Sequence, residues 1–305
     1  MKKILYLLVF SIAVMFTGCS DAAPKEPIKA LIVTGQNNHN WPVSHLAIKQ
    51  TLENSGMFTV ELAVSPEHGA DMSSFVVDFD KYGVVVLDYN GDAWPEQTND
   101  NFMKYVQNGG GVVIYHAADN AFVNWPEFNK VIALGGWEGR DEKSGPYVYL
   151  KDGKLFQDNS AGPGGSHGAG HEYVLDAFDA EHPVTKPLPA HWKHAKDELY
   201  DRMRGPGNIK SLLYSAYSSE ETGGTGRSEP LIFTVDNGAA RIFHIMLGHA
   251  GNTLEDNVAM QCTGFQVMML RGSEWAATGK VTQKVPADFP TAETVSMRPD
   301  YKETN

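Results

Sequence analysis

The sequence predicts an α/β fold with a mostly parallel central sheet, and three observations carry the prediction. Short aliphatic runs recur at 30–34 (ALIVT), 83–87 (GVVVL) and 112–115 (VVIY). Stretches with helical apolar spacing lie between them, and glycines punctuate the changes of element. Unbroken apolar strands are buried on both faces, which requires helices above and below. Strand–helix–strand alternation then builds parallel crossover units.

Each element has its own signal. After the first run, Val43, Leu46, Ala47 and Leu52 recur at helical spacing within 43–54, and Ser55-Gly56 closes the stretch. FTVELAV at 58–64 alternates and reads as a strand. Residues 98–107 put Phe102, Tyr105 and Val106 on one helical face, and Gly109, Gly110 and Gly111 end it. A further helix is expected over 125–134, with Pro126 at its start. Lys151-Asp152-Gly153 marks a hairpin within 147–156. The glycine-rich 158–170 lacks phosphate-loop spacing and reads as a mobile surface insertion. Strands are expected at 171–175 and 210–216, and a hairpin at 231–235 and 241–247 around Asp236-Asn237-Gly238. One long helix over 257–276 and a proline-punctuated, extended tail from Gly279 complete the chain. No internal repeat or linker divides the body, so residues 29–290 read as one domain with an inserted hairpin and loop region, and 291–305 as a C-terminal tail.

The first residues form a separate segment. Lys2 and Lys3 precede an apolar run at 4–16, and Thr17-Gly18-Cys19 follows. The run is short for a membrane span and matches a secretory signal peptide. Its ending resembles a bacterial lipobox, so residues 1–19 are expected to be a lipoprotein signal peptide lipidated at Cys19, and 20–28 a flexible tether. That places the protein in a bacterial cell envelope, periplasmic or outer-membrane, touching membrane only through its lipid. Cys262 is the remaining cysteine, which excludes an intrachain disulfide in the mature domain and reads as a buried small hydrophobe. With 42% hydrophobic and 20% charged residues the chain is an ordinary globular protein. A formal charge of −12 excludes a general nucleic-acid binder, which needs a basic face.

Polar residues gather where such a fold binds ligands, beyond the carboxyl ends of its strands. The first strand is followed by Gln36, Asn37, Asn38, His39, Asn40 and Trp41, and the third by Asp88, Asn90, Asp92 and Trp94. The fourth is followed by His116, Asp119, Asn120 and Trp125, and the late hairpin by His249. Tryptophans beside amides and carboxylates suit a sugar, whose apolar face stacks while its hydroxyls need donors and acceptors. The expected substrate contacts are Asn37, His39, Trp41, Asp88, Asn90, Asn120, Trp125 and His194. His116, His249, Asp119 and Glu198 are the catalytic candidates, as acid/base groups near neutral pH. His116 and His249 together are also candidate ligands for a divalent metal such as zinc. His194 and Glu198 stand four apart in WKHAKDELYDR and share a face in a helix or a strand. His244 reads as a core histidine, and His45 and His68 as surface ones. Neither a GxSxG elbow nor a cysteine ends the fourth strand, which disfavours acyl transfer through a covalent intermediate.

Long blocks of the sequence resemble the ThuA-like, or trehalose-utilisation, family: HNWP at 39–42, GGGVVIYHAADNAFVNWPEFNKVIALGGW at 109–137, WKHAKDELYDRMRG at 192–205, and RIFHIMLGH at 241–249 with RGSEWAATGKV at 271–281. The resemblance implies a class I glutamine-amidotransferase-like fold, a flavodoxin-like three-layer sandwich. In that fold a nucleophilic cysteine stands on the elbow after a central strand and a catalytic histidine follows a late hairpin. By chain order His116 takes the elbow and His249 the later position, so Cys-dependent amide hydrolysis is not carried over. The family is associated with disaccharide catabolism through 3-keto-glycosides, alongside sugar oxidoreductases. The expected function is therefore a carbohydrate-catabolic enzyme, a hydrolase, lyase or isomerase, acting on a disaccharide or 3-keto-glycoside. The alternative is a non-catalytic sugar-binding lipoprotein.

Overall fold

The computed structural model describes residues 26–302, so the expectations for the signal peptide, the Cys19 lipid and most of the tether lie outside the described residues. Strands β1 (Ile28–Thr34), β2 (Phe58–Val64), β3 (Val84–Leu87) and β4 (Gly111–Tyr115) alternate with helices α1 (Trp41–Glu53) and α2 (Glu96–Gln107). Every residue of β3 and β4 is buried, as their unbroken apolar runs require. Helix α3 (Pro126–Ile132) follows, with proline at its first turn, where no intrahelical N–H is needed.

The middle of the chain is strand-rich. A hairpin of β5 (Tyr147–Lys151) and β6 (Lys154–Asp158) turns at Asp152-Gly153, both with positive φ, as a two-residue primed turn demands. Then come β7 (Ser166–His167), β8 (His171–Ala177), β9 (His191–Asp197), β10 (Tyr200–Asp201), β11 (Ile209–Ser218), β12 (Arg227–Val235) and β13 (Arg241–Ile245). The main sheet runs β2-β1-β3-β4-β13-β12-β11-β8-β9. Its first five strands pair in parallel and the remainder antiparallel, so the inserted region is larger than one hairpin. Strand order reverses between β1 and β3, the kind of place where α/β sheets open a crevice.

Helices α4 (Val258–Gln261) and α5 (Thr263–Thr278) replace the single long helix expected over 257–276. The break falls at Cys262, whose extended backbone bridges to Met297 of the tail. A helix cannot continue through a residue held in an extended bridge. α5 packs on β4 and β13 and also meets α1, while α2 meets α3 through Phe102 and Phe128. These two pairs flank the sheet and make the three layers. At Gly272 a Cβ would stand 2.2 Å from the Phe243 ring, so only glycine lets α5 lie this close to β13. The tail is extended, as its prolines suggest, and it packs on the body: the Tyr301 hydroxyl donates to the Met260 carbonyl at 2.9 Å.

The glycine-rich stretch is anchored instead of lying loose. β7 pairs with β10, Gly165 N–H donates to Arg202, and Trp137 N–H donates to Gly164. Gly165 has φ +83°, and a Cβ there would meet the Trp137 nitrogen at 2.5 Å. Backbone pairing of this kind, invisible in composition, holds the loop over the crevice. His45, expected at the surface, is buried because α1 turns it inward, where Nδ1 bonds the Trp41 carbonyl at 2.6 Å.

Candidate functional site

Four elements bring their ends together at the crevice. The loop between β1 and α1 supplies His39, and its position is built in two steps. Asn37 Oδ1 accepts the His39 N–H at 3.0 Å, and Asn37 Nδ2 donates to Asp88 Oδ1 at 3.1 Å. Asp88 is fully buried and also accepts from Ser44 at 2.7 Å. Burial pushes its carboxyl up to about 8 against those hydrogen bonds. Asp88 therefore supports the loop from below, and no face of it is open to a substrate as the sequence suggested.

His116 follows β4 with φ +45°, a left-handed backbone that is uncommon outside glycine. Strain of this kind persists where surrounding structure imposes it, commonly at functional sites. Its Nδ1 lies 2.7 Å from the Met246 carbonyl and so carries the proton, leaving Nε2 as a lone pair. The Tyr200 hydroxyl donates to that Nε2 at 3.0 Å. Burial lowers the His116 pKa to about 3, so the ring is neutral. Burial holds the Tyr200 phenol well above its ordinary value, so it keeps its proton to donate.

Glu198, at the end of β9, is the centre of the group. Its Oε2 lies 3.2 Å from His249 Nδ1, 3.6 Å from His39 Nε2 and 3.8 Å from His116 Nε2. Burial opposes its charge, yet hydrogen bonding from His249 and His39 holds the carboxyl well below the usual range. The same carboxylate raises the His249 imidazole above its ordinary value, against burial. His39 stands edge-on to both other rings, with centroids 4.7 Å from each. One donor atom from each of the four residues falls within a 4.8 Å group. Two ligand atoms on one tetrahedral zinc stand about 3.3 Å apart, given bonds of roughly 2.0–2.1 Å. The contacts to Glu198 bracket that spacing. His249 Nδ1 and the Glu198 carboxylate face each other at 3.2 Å without good hydrogen-bond geometry, so a cation between them would serve both. The donor set thus fits a divalent metal, with His39 and Glu198 joining the two histidines expected.

Asp197 fixes this arrangement from behind. Its carboxylate accepts the N–H groups of Gly248 (2.7 Å), Glu198 (2.8 Å) and His249 (3.1 Å). His194 Nε2 bonds it at 2.8 Å from a wholly buried position. His194, expected to touch substrate, faces the core instead: β9 is a strand, but its end turns Glu198 outward and leaves His194 beneath. Asp119 is likewise withdrawn, fully buried with Oδ2 3.2 Å from His244 Nε2. Neither carboxylate nor imidazole of that pair reaches the crevice, and His244 is the core histidine the strand pattern suggests.

Other expected contacts do face open space. Asn37, Trp41 and Asn90 line a cavity of about 600 Å³ beside the strand-order reversal. His39, Asn120, Glu198 and Tyr200 line a smaller one of about 210 Å³, where the buried Asn120 Oδ1 lacks a protein partner. Trp125 lies on a third cavity, farther along. Sequence reasoning missed Tyr200, His167 and Arg140. His167 Nε2 is 3.7 Å from Glu198 Oε1, and the buried Arg140 donates to the Asn120 and Ala121 carbonyls at 2.7 and 2.8 Å. A signal for Tyr200 was available, since Glu198 and Tyr200 alternate in an extended run.

The histidine after β4 and the histidine after the late hairpin thus meet at one carboxylate. The family described as ThuA, trehalose utilisation, matches residues 29–276. The chain belongs to the ThuA family. The crystal structure of a ThuA-like protein from Parabacteroides merdae is 72% identical, with a TM-score of 0.90 over 92% of this chain and 100% of that one. A ThuA-like protein from Bacteroides uniformis is 20% identical, with a TM-score of 0.54 over 87% of this chain and 97% of that one, and shares the fold. No curated protein matches. Family membership associates this ThuA chain with trehalose utilisation, hence carbohydrate metabolism.

Proposed function

We propose that this ThuA protein is an enzyme of carbohydrate breakdown, acting on a disaccharide or a 3-keto-glycoside with a divalent metal such as zinc. The observation that carries the reading is the convergence of His39, His116, His249 and Glu198 on one point at the crevice floor. A bound metal there would supply Lewis acidity toward a sugar carbonyl or hydroxyl, or a more acidic water. His39, His116 and His249 would present neutral nitrogens, and Glu198 a carboxylate. The Tyr200 hydroxyl, released from His116 Nε2 when that nitrogen takes another partner, would donate to a substrate oxygen. His167 sits across Glu198, with its Nε2 3.7 Å from Oε1, where it would meet a substrate hydroxyl bound beside the carboxylate. Asn120 Oδ1 would accept one sugar hydroxyl. Cysteine chemistry has no place in this reading, because Cys262 is buried behind the site.

A 3-keto-glycoside forms by oxidation of one secondary hydroxyl, so a sugar oxidoreductase is the functional partner this reading implies. The reading also keeps the protein in the cell envelope on a lipidated Cys19. Fatty-acid labelling lost in Cys19→Ala would support that anchoring, and unchanged labelling would refute it. Elemental analysis of purified protein, with incubation on a keto-disaccharide panel, tests the reaction. Stoichiometric metal and new products are expected, both lost in His116→Ala and His249→Ala. Variants that turn over keto-glycosides as fast as wild type would overturn the proposal. Saturable sugar binding without product would favour the non-catalytic sugar-binding role.

A further inference from the structure

The end of the glycine-rich loop, residues 164–170, runs as a strap beside the histidine cluster. It borders two cavities at Glu198: His167 lines the 210 Å³ one, and Gly170 lines another of about 320 Å³ together with His249. Two seats hold the strap. On one side Gly165 N–H donates to the Arg202 carbonyl at 2.9 Å, and β7 pairs Ser166 with Asp201 and His167 with Tyr200. On the other, Ala169 N–H donates at 2.8 Å to the Thr222 carbonyl, in the turn between β11 and β12. A Cβ at Gly168 would stand 2.2 Å from that carbonyl oxygen, so strap and turn are in close contact.

Both seats are tied to buried carboxylates. Asp201 is fully buried, and Glu229 on β12 is 1% exposed. Ser218 Oγ donates to Asp201 Oδ2 at 2.7 Å and accepts the Thr225 N–H at 3.2 Å. Thr225 Oγ1 donates to Glu229 Oε1 at 2.7 Å. Asp201 thus carries the first seat, while Ser218 and Thr225, at the ends of the turn, bridge it to Glu229. The cations nearby are Arg227 and Arg202. Arg227 Nε stays 3.6 Å from Glu229 Oε1 without a formed hydrogen bond, and its guanidinium lies 4.0 Å from the Tyr149 ring. Glu220 and Glu221, in the turn itself, are exposed. Burial pushes the Glu229 carboxyl up to about 7, against the Thr225 hydrogen bond and Arg227, and the charge on Asp201 adds to the rise.

We propose that Asp201 and Glu229 form a proton-operated latch on the strap, closed over Glu198 while the pair keeps one proton and released when that proton leaves. The proton passes from the Glu229 carboxyl to water, and no other covalent bond changes. A proton needs no cavity, so the burial of both groups does not bar it. With one proton present, Asp201 carries the only negative charge of the pair, and Ser218 answers it. With both groups ionised, two like charges sit out of water. Hydration is regained by moving β10 or the turn, and these are the two seats of the strap. The closed form holds the Glu229 proton more tightly than an exposed carboxyl near 4.3, so closure weakens as pH rises from about 4.3 to 7. Release draws His167 away from Glu198 and opens the histidine cluster to solvent.

Amide hydrogen exchange on the full-length, metal-stripped protein reads the latch without turnover. The probes are the Gly165 and Ala169 N–H groups, compared between about pH 5.5 and about pH 8 after correction for the intrinsic exchange rate. Protection is expected to fall by at least about ten-fold, since one titrating group shifts an equilibrium by up to ten-fold per pH unit. Glu229→Gln keeps the shape and the Thr225 bond but cannot ionise, so its strap should stay protected across the range. His167 and His171, the histidines of the strap and of the strand after it, are unchanged in that variant. Asp201→Asn is the second variant. It still accepts from Ser218, and removing its charge should move the fall to lower pH. Slow exchange in α5 throughout is the folding control. Strap protection that does not change in wild type, an equal fall in Glu229→Gln, or a midpoint unmoved by Asp201→Asn overturns the latch. None of these readings needs metal or substrate, so the outcome is independent of the function proposed above.

Discussion

Histidines meet carboxylates in two regions of this molecule, and the two are built to opposite ends. In the inner region, His244 with Asp119 and His194 with Asp197 are wholly buried, and each pair is joined by a hydrogen bond. In the outer region, His39, His116 and His249 surround Glu198 without satisfying every lone pair, and the group borders open cavities. The residue types are the same. What differs is access: the inner pairs are sealed in the core, where Asp119 Oδ1 and His194 Nδ1 also lack a hydrogen bond, whereas the outer group opens on cavities. Sealed pairs hold backbone in place, while a group at the crevice can meet a ligand.

Substitutions can sharpen that contrast. The largest effect is expected from Glu198→Gln, which removes the carboxylate that gathers the histidines. Turnover should fall by about 10²–10⁴-fold, the usual scale for an acid–base group. The melting temperature of the metal-stripped protein should stay within about 3 °C, since relieving a functional cluster is rarely destabilising. A melting temperature that collapses with activity would place Glu198 among the structural pairs.

His244→Ala is the inner counterpart. It leaves Asp119 buried and alone, so a loss of roughly 3–5 kcal/mol is expected. For a domain of this size that is on the order of 6–20 °C in thermal midpoint. An unchanged midpoint would show that water replaces the imidazole and that the pair is not a structural tie.

Asp197 belongs to both regions, because it binds His194 below and the N–H groups of Glu198 and His249 above. Asp197→Asn should weaken the affinity of the proposed metal by about 10–100-fold, as changes behind a ligand shell commonly do. Competition with a chromogenic chelator would measure it. Equal affinity would mean that the cluster assembles without the clamp.

The smallest expected effect concerns Asp88. Burial raises its folded-state pKa to about 8, above the unfolded value near 4. The fold therefore favours the protonated form, so this group opposes folding increasingly as pH rises from about 4 to 8. Asp88→Asn should flatten the pH dependence of the thermal midpoint across that window. A slope identical to wild type would mean that Asp88 is charged in the fold.

Legibility in the sequence followed the range of the interactions. β3 and β4 announce themselves because burial on both faces leaves only apolar residues, and the primed turn at Asp152-Gly153 needs positive φ at two residues. His116 and His249 were visible for the same reason: each breaks off a buried strand at the end where ligands bind. Proximity along the chain could not reveal that His39 and Glu198 complete the group, since loops 159 residues apart meet only after the sheet forms. Nor could it separate His194 from Glu198, which differ by which way a strand end turns.

By itself the sequence determined the parallel half of the sheet, the helices that cover it and the set of polar strand ends, because periodicity and turn chemistry are local. Only the tertiary structure decided which histidines face the crevice and that the glycine-rich loop is pinned over it. Those outcomes depend on hydrogen-bond partners arriving from distant segments, and on which lone pairs are left once every available partner has been used.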